Sequence, residues 1–276
     1  MTWNYAGQTH PGNREGENED AIGWDESSAV WLVADGMGGH ASGQVASRIA
    51  RDTVLQKIGA AVSLEEAIGD AHETIRQQAA GDDVQRGMGT TIVVAQIRDG
   101  LLNIFWVGDS RAYLLRHHEL EQISTDHSFV ELLREKVGMS EEEIRIHPHK
   151  NLVTRTLGHE DPEASSRSVP LMQGDRILLC SDGLNDELAD AEISVILDHV
   201  ASPSACCEAL VQAAMAQGGR DNISVVVVDY EGDSHPDARK TTSEKTTSNL
   251  KDVLQFAGMG MMSAAVVLAI AWYFLR

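Results

Sequence analysis

Cysteine is scarce: Cys180, Cys206 and Cys207 are the three in 276 residues. An odd number, with two adjacent, makes a poor disulfide framework and lacks zinc-ligand spacing, so a reducing compartment is expected. Basic residues are few as well. Twenty-two Lys and Arg stand against 42 Asp and Glu, a net charge of −20. That balance excludes a protein that holds nucleic acid by its phosphates. It suits a soluble domain, a cationic partner, or a site built for divalent metal. The first twenty residues (MTWNYAGQTHPGNREGENED) lack a basic n-region and an apolar h-region. No export signal is expected there.

Apolar residues make up 42% of the chain, an ordinary globular share. Residues 1–230 read as short apolar strands and amphipathic helices. Strands are expected at Val30–Ala34, Thr90–Ile97, Leu101–Val107, Ala112–Arg116, Arg176–Cys180 and Ile223–Tyr230. Ser42 opens a helix expected to bury Val45, Ile49 and neighbouring alanines. Ser63, with Glu66 three residues on, caps a second helix that carries Leu64, Ala67, Ile68, Ala71 and Ile75 on one face. A third covers Ala191–Val200, and a fourth runs from an N-cap at Ser202 through Pro203 to a stop at Gly218. Strand pairs and helix pairs are segregated. This predicts an α+β fold of antiparallel sheets flanked by helices, not a parallel doubly wound sheet.

Residues 231–252 form an expected polar linker, with no large apolar side chain before Leu250. From Val253 to Leu275 there is no charge at all. As a helix this stretch would span about 35 Å, enough for a hydrocarbon core of about 30 Å. It is apolar all round, where a core helix would carry a polar stripe, and Trp272 and Tyr273 lie near its end. A transmembrane helix over 253–275 is therefore expected. Arg239, Lys240, Lys245 and Lys251 precede it and Arg276 follows. The positive-inside tendency then keeps the N-terminal domain cytoplasmic, as a tail-anchored protein of the inner membrane.

Acidic residues cluster at strand ends. Glu19 and Asp20 precede an apolar run. Asp35-Gly36 follow VWLVA, Gly108-Asp109 follow NIFWV, Asp182-Gly183 follow RILLCS, and Asp221-Asn222 precede ISVVVV. Any one Asp-Gly pair reads more readily as a tight turn. As a set, the carboxylates would converge if the strand ends gather at one edge. Six carboxylates so close repel one another unless divalent cations or protons intervene, and all-oxygen ligation selects Mg²⁺ or Mn²⁺ over Zn²⁺.

The segments NEDA (18–21), VADGMGGHASGQVAS (33–47), GMGTTIVV (87–94), WVGDSRAYLLR (106–116), STDHSFV (124–130), NLVTRTLG (151–158), DRILLCSDGLND (175–186) and GGRDNISVVVV (218–228) follow in order. Together they resemble the metal-dependent protein phosphatases of type 2C in their bacterial form. The resemblance implies a four-layer sandwich of two antiparallel sheets with helix pairs outside. It implies two Mn²⁺ or Mg²⁺ ions, with a third in bacterial members. Asp35 matches the residue that bridges both metals, and the Gly36 carbonyl a further ligand. Glu19 matches a ligand of one metal, Asp182 and Asp221 ligands of the other. Asp20 matches a partner of metal-bound water, and Asp109, with Asp182, matches the third-metal site. Arg14 matches the clamp on substrate phosphate, with one extra residue of spacing. His40 is a candidate general acid, or else packs the loop. His127 reads as structural and Asp126 as an outer contact of the site. Residues 138–150 match the flap beside the cleft.

The activity so implied is hydrolysis of phosphoserine and phosphothreonine by a hydroxide bridging two metals. No cysteine stands six residues before an Arg, so the thiol-phosphatase loop is absent, in keeping with a water mechanism. The expected partners are phosphorylated proteins, a Ser/Thr kinase among them with its targets, and the lipid membrane. Three rivals are weaker. Gly36-Met37-Gly38-Gly39-His40-Ala41 imitates a dinucleotide loop, but Asp35 would put a charge at the pyrophosphate. A silent binding module would have lost its ligands. An esterase for a small phosphorylated metabolite would use the same metal chemistry.

Overall fold

A computed structural model describes residues 3–13, 16–38, 42–82, 85–140, 143–144, 147–159 and 163–238. The expected anchor at 253–275, most of the linker, Arg14 and His40 lie outside the described residues. Among the described residues no helix is long and apolar enough to cross a membrane.

Eleven strands are described: β1 (Trp3–His10), β2 (Asp20–Asp25), β3 (Val30–Met37), β4 (Gly89–Thr90), β5 (Ile92–Arg98), β6 (Leu101–Val107), β7 (Arg111–Arg116), β8 (Glu119–Gln122), β9 (Ser165–Pro170), β10 (Arg176–Cys180) and β11 (Ile223–Tyr230). One sheet runs β1-β11-β10-β7-β8. The other runs β2-β3-β5-β6-β9, with β4 paired to β3. Every strand pair is antiparallel. The helices are α1 (Ser42–Gly59), α2 (Leu64–Gly81), α3 (Phe129–Val137), α4 (Asp182–Asn185), α5 (Asp190–His199) and α6 (Pro203–Gln217).

Alternation along the central strands builds three apolar cores. Val30, Leu32 and Ala34 face α1 and α2, against Ala46, Ala50, Val54, Ile68 and Ile75. Trp31 and Val33 face the other way, onto Ile177, Leu179, Val226 and Val228 of the opposite sheet. Leu178, Val225 and Val227 pack on Ile193, Ile196 and Leu210 of α5 and α6. Strands buried on both faces need no polar alternation, and so VWLVA and ISVVVV are continuous apolar runs. The result is the expected four layers, helices outside two sheets. Among the described residues no parallel strand–helix–strand unit surrounds Gly36, so the dinucleotide reading loses its context.

Several expectations shift. In α1 the fully buried face is Ala46, Ala50, Val54 and Ile58, while Val45 and Ile49 are only partly buried. The small alanines let the helix sit close, and the larger residues flank the contact. The third expected helix runs Asp190–His199, one residue earlier. The run Thr90–Ile97 is interrupted at Thr91, which leaves the ladder to bond Asp35. Three strands had no sequence signal: β1, β8 and β9. All are sheet edges. Edge strands stay polar because one long side meets water, which erases the apolar run.

Candidate active site

The antiparallel order gathers the starts of β2, β7 and β11 and the ends of β3, β6 and β10 at one pole. Asp20 and Asp35 are direct cross-strand partners there. Asp35-Gly36 is not a turn, because β3 continues to Met37. The Gly36 N–H donates to the Glu19 carbonyl at 3.2 Å. A Cβ built on Gly36 would stand 2.0 Å from the Gly43 carbonyl oxygen. One on Gly43, in the first turn of α1, would stand 2.8 Å from both Glu19 Oε1 and the Gly36 carbonyl oxygen. The Glu19 carboxylate and the Gly36 carbonyl thus point to the same small space, kept open by a missing side chain.

Asp182 opens α4, and Asp221 precedes β11. Ser181 Oγ donates to Asp20 Oδ2 at 2.8 Å and accepts from Ser224 N–H at 3.0 Å, fixing the two strand ends together. Asn222 joins the rest. Its Oδ1 accepts from Glu19 N–H at 2.8 Å, its Nδ2 donates to the Pro11 carbonyl at 2.9 Å, and its own N–H donates to Asp221 Oδ1 at 2.8 Å. Thr91 Oγ1 accepts from Asp35 N–H at 3.1 Å, and Thr91 N–H donates to the Asp35 carbonyl at 2.8 Å.

The electrostatics follow from this crowding. Burial pushes Asp20 up to about 7, opposed by the hydroxyls of Ser224 and Ser181 and reinforced by the charges of Asp182 and Asp221. Burial and then the charge of Asp186 push Asp182 up to about 6. Asp35 and Asp109 stand well above the carboxylate range, first through burial and then through their acidic neighbours. Asp182 is among the acidic neighbours that raise Asp35. Among the described residues no three acidic, His or Cys side chains form a ready metal-ligand group. Asp20 Oδ1 is buried with no hydrogen-bond partner, a cost of about 1–3 kcal/mol for an unmet polar group. The donors are all oxygen. The chemistry fits hard divalent cations, and a cation with its water would satisfy both the orphaned oxygen and the repulsion.

Other residues frame this set. Asp126 binds Arg111 through both oxygens, with contacts of 3.0, 3.0 and 2.7 Å. Arg111 also reaches Tyr113 Oη at 3.0 Å. It is a fixed cation beside Asp109 and Asp182, and it eases the ionisation of both. His127 is half-buried; burial first, and then Arg155, push it down to about 4, so its imidazole is neutral. Behind the expected flap, Lys150 Nζ and Asn151 Nδ2 each lie 2.8 Å from the Asp186 carboxylate, four residues after Asp182. Sequence reasoning missed Thr91, Ser181, Asn222 and Asp186 as supports. Each sits inside a quoted motif, but nothing in a motif says which neighbour braces which.

The protein phosphatase 2C family matches residues 7–218. The serine/threonine phosphatase stp of Listeria monocytogenes is 35% identical over 238 residues, which cover 81% of this chain and 94% of that protein. The serine/threonine protein phosphatase PstP of Mycobacterium tuberculosis is 35% identical over 244 residues; they cover 84% of this chain but only 46% of that longer protein. The crystal structure of the mycobacterial phosphatase superposes with a TM-score of 0.78 at 34% identity, covering 84% of this chain and all of that one. The catalytic domain of PstP solved with two manganese ions superposes with a TM-score of 0.76 at 31% identity, covering 83% and 99% of the two chains.

Proposed function

Because the chain belongs to the protein phosphatase 2C family, we propose that its carboxylate pole hydrolyses phosphoserine and phosphothreonine on proteins with two divalent ions in place. It is a metal-dependent protein serine/threonine phosphatase of bacterial type, with Mn²⁺ or Mg²⁺ as cofactor. The observation that carries the two-ion reading is the convergence of Asp20, Asp35, Asp109 and Asp182 at one pole as an all-oxygen set, whose carboxyls burial and mutual repulsion push above the usual carboxylate range. When bound, such ions supply an acidified water for in-line attack and neutralise charge at phosphorus.

The protein's own groups divide the work. Asp35 is assigned to both ions. Glu19 and the Gly36 carbonyl would hold one, Asp182 and Asp221 the other, and Asp109 with Asp182 a third. Asp20, held by Ser181, would accept a hydrogen bond from the attacking water and so align it. Asn222 ties Glu19 to Asp221, so the ligands of the two ions move as one body. Arg14 would clamp the substrate phosphate through its planar fork, and His40 would protonate the leaving alkoxide. A Ser/Thr kinase and its targets are the proposed substrates. Residues 253–275 would anchor the domain to the cytoplasmic face of the inner membrane.

A panel of phosphopeptides and small phosphorylated metabolites, assayed with Mn²⁺ and with EDTA, tests the activity. Hydrolysis of phosphothreonine and phosphoserine peptides only with metal is expected. Activity that survives thorough chelation would overturn the two-ion reading, and a preference for metabolites would overturn the substrate class. Arg14→Ala should raise KM for a small phosphate ester and leave metal affinity nearly unchanged.

A further inference from the structure

Asp109 sits on a turn that is held from outside the strands forming it. Gly108 has φ +107°, a left-handed backbone open to glycine. A Cβ there would stand 2.6 Å from Thr91 Cβ, so the turn is pressed against the residue that bonds Asp35. Thr91 Oγ1 also pairs with Ser110 Oγ at 2.7 Å. On the other side of the turn lies His127. Its backbone N–H donates to the Gly108 carbonyl at 2.9 Å, and its Nδ1 accepts from Gly108 N–H at 3.1 Å. Gly108 therefore has both backbone groups tied to one residue. An Nδ1 that accepts leaves the proton on Nε2, which donates to Ser165 Oγ at 3.0 Å. The ring stacks on Trp106, with centroids 6.1 Å apart and planes at 24°. Ser165 opens β9 of one sheet, while His127 follows β8 of the other. The imidazole is thus pinned across the sandwich and is not free to follow the turn.

We propose that His127 is a positioning residue for Asp109: its imidazole Nδ1 and backbone N–H hold Gly108 in its left-handed conformation against Thr91, and so set where the Asp109 carboxylate stands relative to Asp35. This rests on the reading of Asp109 as a third-ion residue. The two sides of Asp109 are then fixed from one segment, because Asp126 next door holds Arg111. The same segment reaches toward the flap, since Thr154 N–H donates to the His127 carbonyl at 2.7 Å.

The substitutions separate the acceptor from the bulk of the ring. Asn places its amide oxygen where Nδ1 lies; Gln is larger but places it near Nε2. His127→Asn should keep most of the wild-type kcat on a phosphothreonine peptide. His127→Ala and His127→Gln should lose kcat by about tenfold or more, the usual cost of removing an outer support of a metal site. KM and the two tight Mn²⁺ sites, titrated by calorimetry, should not move. In an Asp109→Ala background the His127→Gln change should cost nothing further. A side chain that merely filled space would give the reverse order, Gln above Asn, and would overturn the proposal. So would an undiminished His127→Gln loss in the Asp109→Ala background, when Asp109→Ala alone lowers activity. Full activity in Asp109→Ala alone would overturn the reading of Asp109 and this proposal with it. Should His127→Ala fail to fold, the Asn and Gln pair still decides.

Discussion

Asp20 and Asp35 face each other across β2 and β3, two carboxylates in register on neighbouring strands. Like charges directly opposite destabilise a sheet. Burial and the neighbouring Asp182 push both carboxyls above the usual carboxylate range, a repulsion that protons or divalent metal would relieve. The fold thus carries a built-in debt that divalent metal removes.

That debt has a pH signature. Asp20 is raised to about 7 and Asp182 to about 6, above the usual carboxylate value, so between roughly pH 4 and 7 the folded state binds more protons than the unfolded one. His127, lowered to about 4, acts the other way below about pH 6.5, but it is one group against several raised carboxyls, so stability should fall as pH rises through this window. Melting of EDTA-stripped protein should show Tm dropping from pH 5 to pH 8. Added Mn²⁺ should restore it, more at pH 8 than at pH 6. A metal-free Tm that is flat or rises with pH would contradict the raised carboxylates.

Asp35 neighbours Asp20, Asp182 and Asp109 at once, and so its charge should matter most. Asp35→Asn should lower kcat/KM by on the order of a thousandfold, roughly 4 kcal/mol. The folded metal-free variant should meanwhile be no less stable than wild type, because a neutral amide replaces a buried carboxyl that can sit there only by taking up a proton or repelling its neighbours. Steady-state kinetics beside thermal melts would test both halves.

Gly43 keeps open the space shared by Glu19 Oε1 and the Gly36 carbonyl. Gly43→Ala would put a methyl 2.8 Å from both oxygens. Helix propensity favours the alanine, but the methyl would also stand 2.7 Å from the Gly36 carbonyl carbon, so the start of α1 must shift away from β3. Metal affinity should fall by roughly tenfold to a hundredfold, as for disturbed metal surroundings generally. Calorimetric titration showing wild-type Mn²⁺ affinity would separate Gly43 from the site.

Ser181 serves two partners, accepting from Ser224 N–H and donating to Asp20. Its removal strands a buried N–H and a buried carboxylate oxygen, at about 1–3 kcal/mol. Ser181→Ala should therefore lower Tm and also lower kcat, because Asp20 loses its fixed orientation. A variant less stable but fully active would exclude the aligning role of Asp20.

Membrane attachment is tested on the full chain. Protein containing residues 253–275 should stay in the membrane fraction after carbonate washing, and truncation at residue 250 should release active enzyme. Carbonate release of the full-length protein, or protease access to the domain from the periplasmic side of spheroplasts, would refute the anchor or its orientation.

The layer order was legible in the chain because its central strands are buried on both faces. VWLVA and ISVVVV can be nothing but core, and an Asp at the end of each reads as a common edge. The family motifs named Glu19, Asp35, Asp109, Asp182 and Asp221 as candidates by number. The strands β1, β8 and β9 were not legible, because an edge strand answers to water on one side and shows no apolar run. The braces of the site were not legible either. Asn222 holds Glu19 across 203 residues of chain, and Ser181 holds Asp20 across 161. Such contacts are chosen by which strand ends meet, and a periodicity of two or of 3.6 residues carries no record of that. The raised acidities have the same origin. A carboxylate type and its position are local, but its proton is decided by burial and by the charges that folding brings beside it.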